Sequence, residues 1–155
     1  MTECRLLNAD CFFMKRDYPD RPLIGVGAVI VADNRVVVVR RGHEPLKGEW
    51  SIPGGVLEIG ETLRAGAARE ALEETGLTVE AGEVLEVLDR IVRDAQGRIQ
   101  FHYVLIDFLC RPTEGELRAG GDAEEARWIS AGELDTFPIA DSAAAVLRKG
   151  LERAH

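Results

Sequence analysis

The sequence predicts an α/β domain in which a mixed β-sheet is sandwiched between helices. Three observations lead there. Two β-branched runs, Ile24–Val31 and Val36–Val39, sit close enough together to read as a hairpin. Two helix-like stretches follow at wide intervals, one over Thr62–Thr75 and one starting at Asp141 or Ser142. The other strand-like segments do not alternate with these helices one for one, which argues against a repeatedly wound parallel sheet. At 155 residues the chain has the length of one domain, taken to span 1–155.

The elements follow in order. Asp33-Asn34 supplies a two-residue turn between the β-branched runs, and the absence of alternation within those runs predicts strands buried on both faces. Gly42–Gly48, with Pro45, is a loop. Trp50–Pro53 is a short extended piece ending at Gly54-Gly55, where paired glycines allow a turn and a close approach to a ligand. The Thr62–Thr75 helix ends at Gly76, a residue suited to the left-handed position after a helix. Strands are expected at Val84–Val92 and Ile99–Cys110, joined through Asp94–Gly97, with a further strand at Ala126–Ile129. Asp141 or Ser142 can cap the last helix. The first 22 residues fit an edge strand, an extension or a dimer arm, so a homodimer is one of the alternatives left open.

Composition excludes several classes. With 46% hydrophobic and 30% charged residues the chain is neither wholly disordered nor fibrous. A formal charge of −8 makes it a poor partner for nucleic acid. Its apolar runs are far shorter than the ~20 residues that span a bilayer, so no membrane partner is expected and the expected location is cytoplasmic. Three cysteines, Cys4, Cys11 and Cys110, lack metal-pair spacing and suit reduced thiols. Charge is also segregated. Glu58–Glu86 carries eight acids against two bases, whereas Arg35–Gly48 carries four bases against one acid.

On a helix of 3.6 residues per turn, Glu70, Glu74 and Glu73 fall at 0°, about +40° and about −60°, on one face. Ala65, Ala68, Ala71 and Leu72 form a stripe on the opposite arc, the expected core face. Three carboxylates so placed repel unless a cation lies over them. Oxygen donors without Cys or His suit a hard ion, Mg²⁺ or Mn²⁺.

From Gly55 the chain reads Gly-Val-Leu-Glu-Ile-Gly-Glu, then seven residues, then Arg69-Glu70-Ala71-Leu72-Glu73-Glu74-Thr75-Gly76-Leu77. This resembles the signature of the Nudix hydrolases, G-x5-E-x7-R-E-U-x-E-E-x-G-U with U apolar, at every specified position. The resemblance implies an α/β/α sandwich and an enzyme that cuts the diphosphate of a nucleoside diphosphate linked to another group. It implies Glu70, Glu73 and Glu74 as metal ligands, with the Gly54 carbonyl as a further one. It gives Arg69 the task of holding the glutamates and Glu61 a structural place at the loop–helix junction. A cation on the carboxylates would neutralise phosphate charge and activate a water, and Arg40, Arg41 or Lys47 would receive the distal phosphates. Glu124 or Glu125, beside Arg127-Trp128, is in the place for a general base, with Glu125 the choice.

The expected partner is a nucleotide. No proline stands about sixteen residues past the signature, near Arg93, where many ADP-ribose pyrophosphatases carry one; the resemblance still favours an ADP-ribose-like or other nucleotide sugar. A nucleoside triphosphate pyrophosphatase and a noncatalytic nucleotide sensor are the alternatives, and the complete Arg69, Glu70, Glu73, Glu74 set argues against the sensor. Asp107, between Ile106 and Phe108, must be paired or at a sheet edge. Trp50, Phe101 and Tyr103 are expected in the core rather than stacking on a base.

Overall fold

The β-branched runs become β1 (Leu23–Ala32) and β2 (Arg35–Arg41) in the computed structural model, which describes residues 15–43 and 46–154. Cys4, Cys11 and most of the expected N-terminal extension lie outside the described residues. Val31 pairs with Val36 and Ala32 with Arg35, and Asp33 and Asn34 both take positive φ, at 52° and 59°. That is the tight hairpin turn whose twist matches the flanking strands.

Beyond the turn the two strands part. β1 runs parallel to β6 (Ile99–Glu114) from Leu23 to Ile30 and carries β4 (Gly54–Val56) antiparallel on its other edge, over Gly25–Gly27. β2 lies between β3 (Trp50–Ser51) and β7 (Ala123–Ser130), both antiparallel to it. β5 (Thr78–Arg93) pairs with β6 on the side away from β1. One parallel pair among antiparallel ones makes the sheet mixed, as expected.

Helix α1 (Leu63–Thr75) covers one face, and α3 (Asp141–Arg153), reached through the short α2 (Ala131–Leu134), covers the other. Strand alternation divides the core accordingly. Val26, Ala28, Ile30, Val37 and Val39 pack with Ala67 and Ala71 of α1; Val29, Val31, Val36 and Val38 pack with Ala144, Val146 and Leu147 of α3. Unbroken β-branched runs are what a strand covered on both faces requires. Among the described residues no helix is long and apolar enough to cross a membrane.

Several boundaries differ from the sequence reading. β5 and β6 are 16 residues each, because charged positions such as Glu80 and Arg111 continue the ladder and pair across it. Register shifts around Ala81–Glu86 break the two-residue period that would have marked β5. Neither Asp141 nor Ser142 caps α3; Ala140 holds that position without a side-chain bond, and Asp141 sits in the first turn, where its charge complements the helix dipole. At α1 the expected ends hold. Thr62 Oγ1 accepts from Ala65 N at 3.1 Å, and Gly76 closes the helix at φ 74°.

The core face of α1 is also displaced from its expected arc. Its buried positions are Gly66, Ala67, Ala71, Glu74 and Thr75, while Leu72 points outward. Ala71→Leu should therefore overpack the α1–sheet contact and lower urea-measured stability by about 1–3 kcal/mol. Leu72→Ala should change it by no more than about 0.5 kcal/mol; equal losses at both positions would contradict this face assignment.

Candidate functional site

Gly54 and Gly55 make room for the site. They lie within β4 and neither takes a positive φ, so they form a strand and not the expected turn. Their requirement is clearance. A Cβ on Gly54 would strike the Val26 carbonyl oxygen, and one on Gly55 would strike the Glu70 carboxylate. Bare backbone here lets the acidic edge of α1 press against β4.

Glu74 uses that approach. Gly54 N–H donates to Glu74 Oε1 at 3.0 Å. The bonds between β4 and β1 fall at flanking positions, Leu57 N to Ile24 O and Ala28 N to Pro53 O, so the N–H and C=O of Gly54 both turn away from β1. The Gly54 carbonyl thus shares an edge with Glu74, which is 8% exposed. The core and acidic faces of α1 overlap at this residue rather than opposing each other.

Arg69 organises the remaining acids. Nε and Nη2 donate to the two oxygens of Glu61 at 2.8 and 2.7 Å, Nη2 also reaches Val56 O at 3.2 Å, and Nη1 donates to Glu70 at 2.9 Å and Glu73 at 3.3 Å. Glu61 also accepts from Glu58 N at 2.9 Å, which folds the loop ahead of α1 onto the same guanidinium. The Glu70 side chain is 12% exposed and that of Glu73 51%.

Burial makes two of these carboxyls weaker acids, raising their pKa. It pushes Glu74 up to about 7, against the Gly54 N–H and with help from the negative charges of Glu70 and Asp122. Glu70 is also raised by burial, despite its hydrogen bond from Arg69. Glu61 moves the opposite way, held low by the Arg69 hydrogen bond. Asp122 was not singled out in the sequence. It arrives on the segment between β6 and β7, where Arg118 N and Gly120 N bond the carbonyls of Thr75 and Glu74 and so satisfy the end of α1. Its signal was the spacing Gly115…Gly120-Gly121, since a Cβ on Gly115 or Gly120 would meet α1 backbone oxygens or the Gly76 carbonyl.

Among the described residues no three acidic, histidine or cysteine side chains converge closely enough to enclose an ion. Arg69 instead stands between Glu70 and Glu73. The donor chemistry nonetheless fits a hard divalent cation: a buried and a partly buried carboxylate that gain from positive charge, a third on the same helix face, a backbone carbonyl and no soft ligand.

The basic residues divide. Arg41 lines a cavity beside the glycine strand, and its charge favours ionised Glu74. Arg40 forms ion pairs with Glu124 at 2.8 Å and Glu125 at 3.3 Å and lies 5.7 Å from the Trp50 ring centre. Lys47 is exposed and does not line the cavity. Glu125 is held between Arg40 and Arg127 and does not line the cavity.

The cavity, about 650 Å³, lies against the bare stretch of β1 and is walled by β3, β5, β6 and the start of α3. Trp50, Phe101 and Tyr103 line it; Trp50 also packs on the α3-side core, as expected, whereas Phe101 and Tyr103 belong to neither core cluster. Arg16 and Asp17 reach it because the chain before β1 docks on the β5–β6 hairpin of the same molecule. There Tyr18 OH donates to Asp94 at 2.8 Å, Tyr18 N bonds Gln100 O at 2.8 Å, and Arg98 lies over the tyrosine ring.

The model of the NUDIX domain matches residues 21–150. The chain belongs to the NUDIX domain family. This NUDIX domain is 36% identical over 113 residues to an ADP-ribose pyrophosphatase of Methanocaldococcus jannaschii, covering 73% of this chain and 64% of that protein. It is 31% identical over 117 residues to phosphatase NudJ of Escherichia coli, covering 74% of this chain and 72% of the relative. Its backbone superposes on a crystal structure of a NUDIX hydrolase from Nitrosomonas europaea with a TM-score of 0.70 at 27% identity, over 88% of this chain and 74% of the other. The chain spans less than two thirds of the length of the first curated relatives it matches.

The Glu74 shift yields a signed prediction. Its folded value of about 7 lies above the ordinary 4.5, so ionisation of Glu74 opposes folding: the opposition is absent below pH 4.5 and complete above about 7. Glu74→Gln keeps the acceptor for Gly54 N–H and removes the charge. In chelator-treated protein at about pH 8 the variant should be more stable than wild type by on the order of 2–3 kcal/mol in urea. The difference should shrink toward zero as pH falls to 4.5; a variant less stable at both ends would contradict the burial cost.

Proposed function

We propose that the chain hydrolyses the diphosphate linkage of a nucleoside diphosphate joined to a second group, using Mg²⁺ or Mn²⁺, with ADP-ribose-like nucleotide sugars as the preferred class. The observation that carries this reading is a pair of unfavourably ionised carboxylates, buried Glu74 and partly buried Glu70, pressed against the Gly54-Gly55 backbone, with Glu70 tethered through Arg69. The Methanocaldococcus relative's name supports the nucleotide-sugar class. Such a reaction needs charge neutralised on a polyanion and a water aligned for attack.

Glu70, Glu73 and Glu74, with the Gly54 carbonyl, would hold the cation, which when bound supplies neutralisation of the phosphates and activation of water. The chain's own residues do the positioning. Arg69 fixes the helix carboxylates to the loop through Glu61 and Val56 O. Arg41, on the cavity wall, is placed to receive a phosphate oxygen, and Arg40, held by Glu124 and Glu125, flanks it as a second donor at the Trp50 side. Glu125, whose carboxylate also pairs with Arg40, is the candidate general base. The cavity beside Gly54-Gly55 takes the rest of the substrate and shields it from bulk water.

Two measurements test this. Glu74→Gln should lower kcat at least tenfold while the protein stays folded; an unchanged rate at saturating Mg²⁺ would refute the role. Chelation should abolish turnover of ADP-ribose, and Mg²⁺ or Mn²⁺ should restore it, with nucleoside monophosphate and sugar phosphate as products. Pyrophosphate released from triphosphates would instead identify a triphosphate pyrophosphatase, and binding without release would identify a sensor.

A further inference from the structure

Asp107 has no place in the chemistry just described, and neither sequence expectation for it holds. β6 is an interior strand, between β1 and β5, so Asp107 is not at an edge. Nor is it paired. It is 6% exposed, and among the described residues its carboxylate makes no hydrogen bond or ion pair. Its cross-strand neighbour on β5, Glu86, is another acid and is taken up by Lys149 of α3 at 3.5 Å. A buried carboxylate with no donor is costly, and native structures rarely leave one without a purpose.

Its surroundings are built around it. In the parallel register Gly25 pairs with Leu105 and Gly27 with Asp107. A Cβ on Gly27 would collide with Asp107 Oδ1, and one on Gly25 would stand 2.6 Å from Leu105. The two glycines leave β1 bare on this side, so Leu105 and Asp107 form an open floor, with Leu88 and Arg90 beside them on β5 and Tyr103 further along β6. The same cavity is bounded by Gly54 and Gly55, which adjoin the Glu70–Glu74 carboxylates. Its volume of about 650 Å³ lies within the range of small-ligand sites. A molecule whose diphosphate lies at the glycine strand can extend across this floor.

We infer that Asp107 is a specificity-determining residue, accepting a hydrogen bond from an N–H or O–H donor on the nucleoside part of the substrate at the floor bared by Gly25 and Gly27. The inference rests on the hydrolase reading only for the orientation of the ligand. Of the two donor sources, the base edge offers amino and ring N–H groups and the ribose offers hydroxyls; either replaces the donor that the fold withholds. A site built to bond such a group discriminates strongly against analogues lacking it, because its buried acceptor is then left unpaired.

The test is equilibrium binding by calorimetry in chelator, which needs no turnover. The probes are the 5′-monophosphates of adenosine, guanosine, inosine, cytidine and uridine, with their 2′-deoxy counterparts. Wild type should bind at least one probe tenfold or more tighter than its weakest analogue. Asp107→Asn, which keeps the shape and replaces one acceptor oxygen by an amino group, should cut that ratio to threefold or less. If the ratio lies between bases, the donor is on the base; if it lies between ribose and deoxyribose forms, the donor is a hydroxyl. Binding that ignores both, no binding by wild type, or a preference surviving in Asp107→Asn overturns the inference. Asp107→Ser serves as the second variant should the first fail to fold. Asp107-dependent preference in a protein that hydrolyses nothing would leave this inference standing and sink the hydrolase reading; robust hydrolysis with an Asp107-independent preference would do the reverse.

Discussion

The guanidinium of Arg69 makes the rest of the site tenable. Two carboxylates of α1 are pushed into a poorly solvated edge and a third sits one turn away, an arrangement that left alone would favour protonation or a frayed helix. Arg69 meets this with a planar fork. One side binds both oxygens of Glu61 and the other is shared by Glu70 and Glu73, while Nη2 also takes the carbonyl of Val56. Its own proton is held more firmly than usual, chiefly by Glu61, so the charge is permanent. A lysine could not substitute, since three donors on a point charge cannot span a bidentate carboxylate, a strand carbonyl and two helix carboxylates at once. The same contacts tie loop, strand and helix into one frame, so electrostatic compensation and mechanical positioning come from one side chain.

Compensation is incomplete, and the remainder is informative. Glu74 receives the Gly54 N–H and the attraction of Arg41, but burial and the nearby charges of Glu70 and Asp122 outweigh them. Natural domains are only marginally stable, so an unfavourable ionisation of this size is retained where it serves binding or catalysis. The fold offsets it with ordinary means elsewhere. Val36, Val37, Val38, Ala67, Ala71 and Leu147 are fully buried, and the glycine-rich segment after β6 satisfies the carbonyls at the end of α1.

Much of this was legible in the residues. The hairpin, the span and caps of α1 and the sharing of one face by Glu70, Glu73 and Glu74 follow from local chemistry and helical period, both short-range properties. What escaped depended on contacts distant in sequence. Glu74 turns inward onto the Gly54 N–H and Leu72 outward, and the close approach of α1 to β4 depends on the bare backbone of Gly55 against the Glu70 carboxylate, a contact between residues distant along the chain. Glycine pairs suggest turns because turns are their commonest use; here the same absence of Cβ serves close packing within an extended strand. Asp122 joins the site only because the segment after β6 folds back over the helix end, a return that the glycines at 115, 120 and 121 permit but whose destination no local pattern reports.

Strand β1 explains why the two halves of the site are found together. Its sequence Gly25-Val26-Gly27-Ala28 alternates, and the alternation separates two demands. Val26 and Ala28 fill the core under α1, while Gly25 and Gly27 carry nothing on the side where Leu105 and Asp107 stand. On its edge the same strand sets the distance to β4, because the Val26 carbonyl is what a side chain at Gly54 would strike. A residue with a side chain at Gly27 would therefore displace Asp107, and any shift of β1 that made room for it would move Val26 and with it the strand that presents Gly54 to Glu74. The cavity floor and the carboxylate edge are thus not independent features that happen to adjoin; they are the face and the edge of one strand, and the spacing between them is as rigid as its backbone.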